Sequence, residues 1–209
     1  MKKVTLILIA IFVFGVSNFA KAQRDRGDGI MSGAAVVGPA GGGGSGGAEH
    51  NIKVGIPSYS LVGISSDATI ALMPAAPETA GQGLNFDVES ASDNSVWLNY
   101  SSIIKSSANS ISVSMKGDNL PNGVTIELVA AEDAGKGKGE VGKTEKKTIV
   151  LSGDSQPVVT TIKNCYTGTG SSSGHQLTYT LKMDETSDNY KALTAKDFDT
   201  TITYTITSL

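Results

Sequence analysis

The chain has 209 residues, with 17 Lys and Arg against 20 Asp and Glu, and a single cysteine. The acidic balance opposes non-specific binding to nucleic acid or to an anionic membrane. One cysteine excludes an internal disulfide, and the length suits one domain.

Lys2 and Lys3 precede an apolar run from Val4 to Val16, and Ala20-Lys21-Ala22 follows. Positive start, apolar middle and small-x-small end make residues 1–22 a secretory signal peptide, with Ala20 and Ala22 at the cleavage site and Gln23 as the first mature residue. The apolar run, at ~13 residues, is short of the ~20 that span a bilayer, so no membrane insertion is expected after cleavage. Loss of Lys2, Lys3 and Lys21 leaves 14 basic residues against 20 acidic ones, a mature charge of −6. The expected location is the periplasm, the cell surface or the extracellular medium.

Residues 23–50 contain Gly41-Gly42-Gly43-Gly44-Ser45-Gly46-Gly47 and almost no large apolar side chain. Such a stretch cannot offset its ordering entropy by burial, and it reads as a flexible leader. Arg26-Gly27-Asp28 within it spells an integrin-type tripeptide but reads as part of a solvated arm.

From Asn51 the texture changes. Ile52, Val54 and Ile56 alternate before Pro57, and 68–73 is a mixed run ending at Pro74. Leu84, Phe86 and Val88 alternate, as do Val96, Leu98 and Tyr100. Ile111, Val113 and Met115 follow, then Val124, Ile126 and Leu128. Ile149 with Leu151, and Val159 with Ile162, form short runs. Leu177, Tyr179, Leu181 and Met183 alternate with polar residues, and Ile202, Tyr204 and Ile206 alternate with four threonines. Period two puts one set on a core face and the other in solvent. About nine such runs, separated by Gly, Pro and Asn, predict for 51–209 an all-β domain, an antiparallel two-sheet sandwich of the immunoglobulin-like kind. Only 190–196 has helical character.

Two motifs suggest chemistry. Gly137, Gly142, Lys143 and Thr144 complete the phosphate-binding pattern GxxxxGK[ST]. That loop must open a helix whose N-terminal amides hold the phosphates, but a short charged start to a β run follows here. The segment reads as a mobile, lysine-rich hairpin loop. Gly170-Ser171-Ser172-Ser173-Gly174 matches the hydrolase elbow GxSxG, with His175 adjacent. The elbow requires a strand-to-helix turn above a parallel sheet, whereas this segment joins two predicted strands. Cys165, His50 and His175 lack zinc-site spacing, and no acidic cluster follows the EF-hand pattern. No cofactor and no catalytic residue is expected.

The remaining candidates are surface groups. Trp97 lies between Val96 and Leu98, so it is either exposed, as a sugar-stacking or interface residue, or covered by a loop. Tyr100, Tyr166 and Tyr190 complete the aromatic set. Cys165 is either a buried small hydrophobe or the source of a disulfide between chains.

The stretch Val96-Trp97-Leu98-Asn99-Tyr100-Ser101-Ser102, the turn Leu120-Pro121-Asn122-Gly123, the loop from Asn164 to Gly170 and the segment His175 to Leu181 together resemble small secreted β-sandwich proteins of Bacteroidota. The closing Asp199-Thr200-Thr201-Ile202-Thr203-Tyr204-Thr205-Ile206-Thr207 resembles the last strand of spore-coat-U-type and archaic chaperone–usher pilin domains. These resemblances imply a secreted, non-catalytic structural or adhesive surface protein, fimbria-like in kind. Its partners would be a protein or glycan at the cell surface, or further copies of itself. The alternative expectation is an extracellular carbohydrate-binding module.

Overall fold

The computed structural model describes residues 49–65, 69–116, 120–145 and 147–208. The chain divides into two compact units, Met1–Val54 and Gly55–Leu209. The described part of the first unit, 49–54, is exposed and forms neither helix nor strand. The signal peptide, with Ala20, Ala22 and Gln23, and nearly all of the glycine-rich leader lie outside the described residues.

Eleven strands make up the second unit: β1 (Tyr59–Ile64), β2 (Ser92–Ile103), β3 (Asn109–Lys116), β4 (Val124–Asp133), β5 (Lys138–Gly139), β6 (Lys143–Thr144), β7 (Ile149–Val150), β8 (Gln156–Ile162), β9 (Cys165–Tyr166), β10 (His175–Met183) and β11 (Thr201–Ser208). These strands, and one α-helix, α1 (Ser187–Ala192), which joins β10 to β11, are counted among the described residues. Thr186 caps α1 by accepting the Asn189 N–H, and the helix ends at the Leu193 cap, so it overlaps the expected 190–196 stretch at 190–192 and begins three residues before it.

The strands form two sheets, and every pairing is antiparallel. The seven-stranded sheet runs β5-β9-β2-β10-β4-β7, with β1 also paired to β2, and the four-stranded sheet runs β11-β3-β8-β6. The chain is therefore an all-β sandwich. Leu98, Leu128 and Leu177 of the larger sheet are fully buried, as are Ile111, Val113, Val159 and Ile162 of the smaller one. Each such side chain contributes about 1.5–3 kcal/mol by leaving water, and no disulfide assists them.

Three expected strands are absent among the described residues. Ile52, Val54 and Ile56 alternate but belong to no strand, and they are 77, 81 and 80 % exposed. Residue 68 lies outside the described residues; in place of strands at 69–73 and 84–88, the chain makes one isolated bridge between Ala75 and Asn85, then a short 3-10 turn at Glu89–Ala91. Pro74 and Pro77 lack the N–H that a ladder needs. Phe86 is nevertheless buried, and Leu84 and Val88 pack against the core, so these residues cover the sandwich without entering a sheet.

Candidate binding surface

The geometry of β2 determines which groups reach the surface. Val96, Leu98, Tyr100 and Ser102 are buried between the sheets. Alternation therefore turns Trp97, Asn99, Ser101 and Ile103 to the outer face of the larger sheet. Tyr59 stands opposite Ile103, and Leu61 stands opposite Ser101. On the other side of β2, Tyr166 is opposite Ser101, and Lys138 is opposite Tyr166. Leu61, Ser101, Tyr166 and Lys138 thus form one row across four strands. Tyr59, Leu61 and Tyr166 are 44, 56 and 49 % exposed. Two strand spacings separate Leu61 from Tyr166, or roughly 10 Å.

Trp97 shares this outer face, four residues back along β2, and is half-buried. Its backbone N–H donates to Ser65 Oγ at 2.9 Å, and its carbonyl accepts the Ser65 N–H at 2.9 Å. Tyr190 belongs to α1 instead, where its ring packs on Gly83. Tyr59 and Leu61 were missed in the sequence because they follow Pro57-Ser58 and share a strand with Gly63. The alternation of Tyr59, Leu61 and Gly63 with Ser60 and Val62 was the available signal.

Tyr100 requires a correction. It is only 3 % exposed, so its ring cannot meet a ligand at the surface. It points inward because it continues the inner face of Val96 and Leu98. Its ring stacks on His175 with centroids 5.6 Å apart and planes 8° from parallel. The Tyr100 hydroxyl lies 2.9 Å from His175 Nε2 and also donates to the Val141 carbonyl. His175 Nδ1–H donates to the Ala131 carbonyl at 2.9 Å. Burial pushes the Tyr100 hydroxyl pKa well above its ordinary value and holds the His175 imidazole below its own.

For Cys165 the structure favours the buried small hydrophobe over the source of a disulfide. It sits opposite buried Ser102, and its thiol is free but buried, which opposes a disulfide between folded chains. Burial, with the Asp133 carboxylate adding to it, pushes the thiol up to about 11.

Neither chemical motif has the local structure that its pattern presupposes. The segment 137–144 contains β5 and β6 and crosses from the larger sheet to the smaller, so it is not a hairpin loop, and it opens no helix. Gly142 has φ +84°, and a Cβ there would come within 2.6 Å of the Thr160 carbonyl oxygen. The glycine of the phosphate pattern is thus required by backbone packing. In the GxSxG segment, Gly174 has φ +72°, and a Cβ would stand 2.1 Å from the Leu98 carbonyl oxygen. Ser173 is buried, and its carbonyl accepts Asn99 Nδ2 at 2.6 Å, which fastens this turn to β2. His175 does not serve exposed Ser172, since its two nitrogens face the Tyr100 hydroxyl and the Ala131 carbonyl.

Among the described residues no group of three His, Cys, Asp or Glu side chains could hold a metal ion. No described helix is long and apolar enough to cross a membrane. Two hollows of about 270 and 290 Å³ flank the turn at Leu120, Pro121 and Asn122, and none of the sequence-selected aromatics lines either. The chain matches no protein-family model, no curated protein and no solved structure.

Proposed function

We propose that the chain is a secreted, non-catalytic structural or adhesive surface protein of fimbria-like kind that works through the outer face of its larger sheet. The observation that carries this reading is the gathering of Tyr59, Leu61 and Tyr166 around Ser101, on a face that the fold leaves open. Exposed apolar groups clustered on one face mark an interaction surface more often than singly scattered ones do. Cys165, His175 and Tyr100 are buried, which fits a packing role for these three.

The test is display. Cells expressing the chain are stained on their intact surface with an antibody to it and scored for attachment to one another and to an apolar support. Surface staining, with attachment reduced at least tenfold by Tyr59→Ser and Tyr166→Ser together, supports the reading. Retention inside the cell, or attachment that ignores both substitutions, refutes it.

A second reading has its own observation. Exposed Tyr166 stands beside Ser101 and exposed Tyr59 beside Ile103 on the same face, and flat rings near a hydrogen-bonding group suit a sugar polymer. Electrophoresis through gels containing neutral polysaccharides tests it. Retardation abolished by Tyr166→Ala would favour a carbohydrate-binding module.

A further inference from the structure

The outer row of the larger sheet ends on a charge. Lys138 is opposite Tyr166 in the pairing of β5 with β9, one strand spacing away, or roughly 5 Å. Buried Cys165 takes the inner face of β9, so alternation turns Tyr166 and its partner Lys138 outward. Lys136 is exposed two residues earlier, and a Cβ on Gly168 would stand 3.5 Å from the Lys136 Cβ, which places this lysine beside the segment that follows Tyr166. The Ile104 N–H donates to Asn164 Oδ1 at 2.9 Å, which brings exposed Lys105 to the same end of β9.

These three cations are uncompensated. Lys147, Lys163, Lys182 and Lys191 each hold a carboxylate, whereas Lys105, Lys136 and Lys138 have no ion pair among the described residues. Glu140, two residues beyond Lys138, is already taken up by Lys163 at 2.9 Å. The whole chain has 20 acidic residues against 17 basic ones, so the positive end of this row is local and is not an overflow of net charge.

Hydroxyl, ring and free cation thus follow one another across neighbouring strands, as Ser101, Tyr166 and Lys138. A tyrosine ring suits the face of a pyranose, and a serine hydroxyl can donate to or accept from its hydroxyls. A uronic acid carries its carboxylate at the edge of the sugar ring. A sugar stacked on Tyr166 would therefore turn that charge sideways, toward the strand that bears Lys138. A neutral sugar offers an ammonium little that water does not, whereas a repeated carboxylate engages Lys136 and Lys138 together. Nucleic acid is held chiefly by a long series of phosphate contacts, and this short cationic end does not supply one.

We infer that the outer face takes an acidic polysaccharide, a polymer of uronic acids, with a pyranose face on Tyr166 and carboxylates against Lys136 and Lys138. The inference rests on the sugar-binding reading of that face and names its ligand class.

The experiment measures binding of the chain from residue 23 onward to immobilised polygalacturonate and to its methyl ester, which keeps the sugar rings and loses the charge. Polygalacturonate is expected to bind at least tenfold more tightly than the ester. That affinity is expected to fall at least tenfold between about 50 and 500 mM salt, as the lysines are screened. Lys136→Glu with Lys138→Glu, at two exposed positions, is expected to abolish the preference and leave the thermal midpoint unchanged, while Lys136→Arg with Lys138→Arg keeps the preference. Ester bound as tightly as polygalacturonate, or a preference that survives the Glu variant, overturns the inference and leaves the sugar-binding reading standing. Retention on neither polymer overturns both. Polyglutamate or oligothymidine bound as tightly as polygalacturonate overturns the choice of a sugar.

Discussion

The Tyr179 hydroxyl lies 2.7 Å from the Tyr204 hydroxyl, and this bond runs from β10 in one sheet to β11 in the other. Burial pushes the Tyr179 hydroxyl pKa up to about 12 and raises that of Tyr204 well above its ordinary value. Both remain protonated at neutral pH, and each relies on the other. Tyr204→Phe would leave the Tyr179 oxygen buried and unpaired, at a cost of about 1–3 kcal/mol. The double Phe variant removes both polar groups and is expected to lie closer to wild type than the sum of the singles. Urea unfolding of the four proteins measures this coupling, and strict additivity would deny it.

The pH dependence of stability turns on His175. Desolvation holds its pKa below the ordinary 6.5, opposed in part by the Ala131 hydrogen bond and the Asp133 carboxylate. As the pH falls through about 6.5, the unfolded chain takes up a proton that the folded chain refuses, so stability is lost below that value. Above it neither state is protonated there, and the group contributes no slope. The thermal midpoint is expected to be level from about pH 8 to 7 and to fall between about 6.5 and 5. His175→Gln is expected to be less stable throughout but to lose that part of the slope. An unchanged slope in the variant would assign it to other groups.

Cys165 should be slow to react. With its thiol raised to about 11, the thiolate at mildly alkaline pH is scarcer than in a free cysteine by roughly two orders of magnitude. Burial adds a steric barrier. Modification by an aromatic disulfide reagent is expected to be correspondingly slow in buffer and fast in urea. Rapid labelling of the folded chain, or dimers that dissolve on reduction, would contradict the buried thiol.

The phosphate-like motif separates two roles. Gly142→Ala must place a Cβ against the Thr160 carbonyl at a positive φ, and a loss of more than about 1 kcal/mol is expected. Lys143→Ala, on an exposed residue, is expected to fall within about 0.5 kcal/mol of wild type. Nucleotide titrations of both variants are expected to show no saturable binding. Saturable ATP binding lost with Lys143 would revive the motif.

The long strands were legible because the two faces of each differ in environment. Val96, Leu98 and Tyr100 alternate with residues that can face water, and so do Ile111, Val113 and Met115. β5, β6 and β9 left no such signal, since two residues cannot display a period and their pairing is imposed by neighbours. The run at Ile52, Val54 and Ile56 failed in the opposite way: the period is present, but no neighbouring strand takes it up. For the surface, alternation could place Trp97 outward and Tyr100 inward, yet it could not bring Tyr59 and Tyr166 together. Their meeting depends on the register of β1 and β9 against β2, over a separation of more than one hundred residues.

The two-residue strands β6 and β7 end the sheets at the margin away from β11 and beyond β4. At that margin a stray strand finds only two residues of ladder to copy, so the flank is a poor template for runaway cross-β stacking.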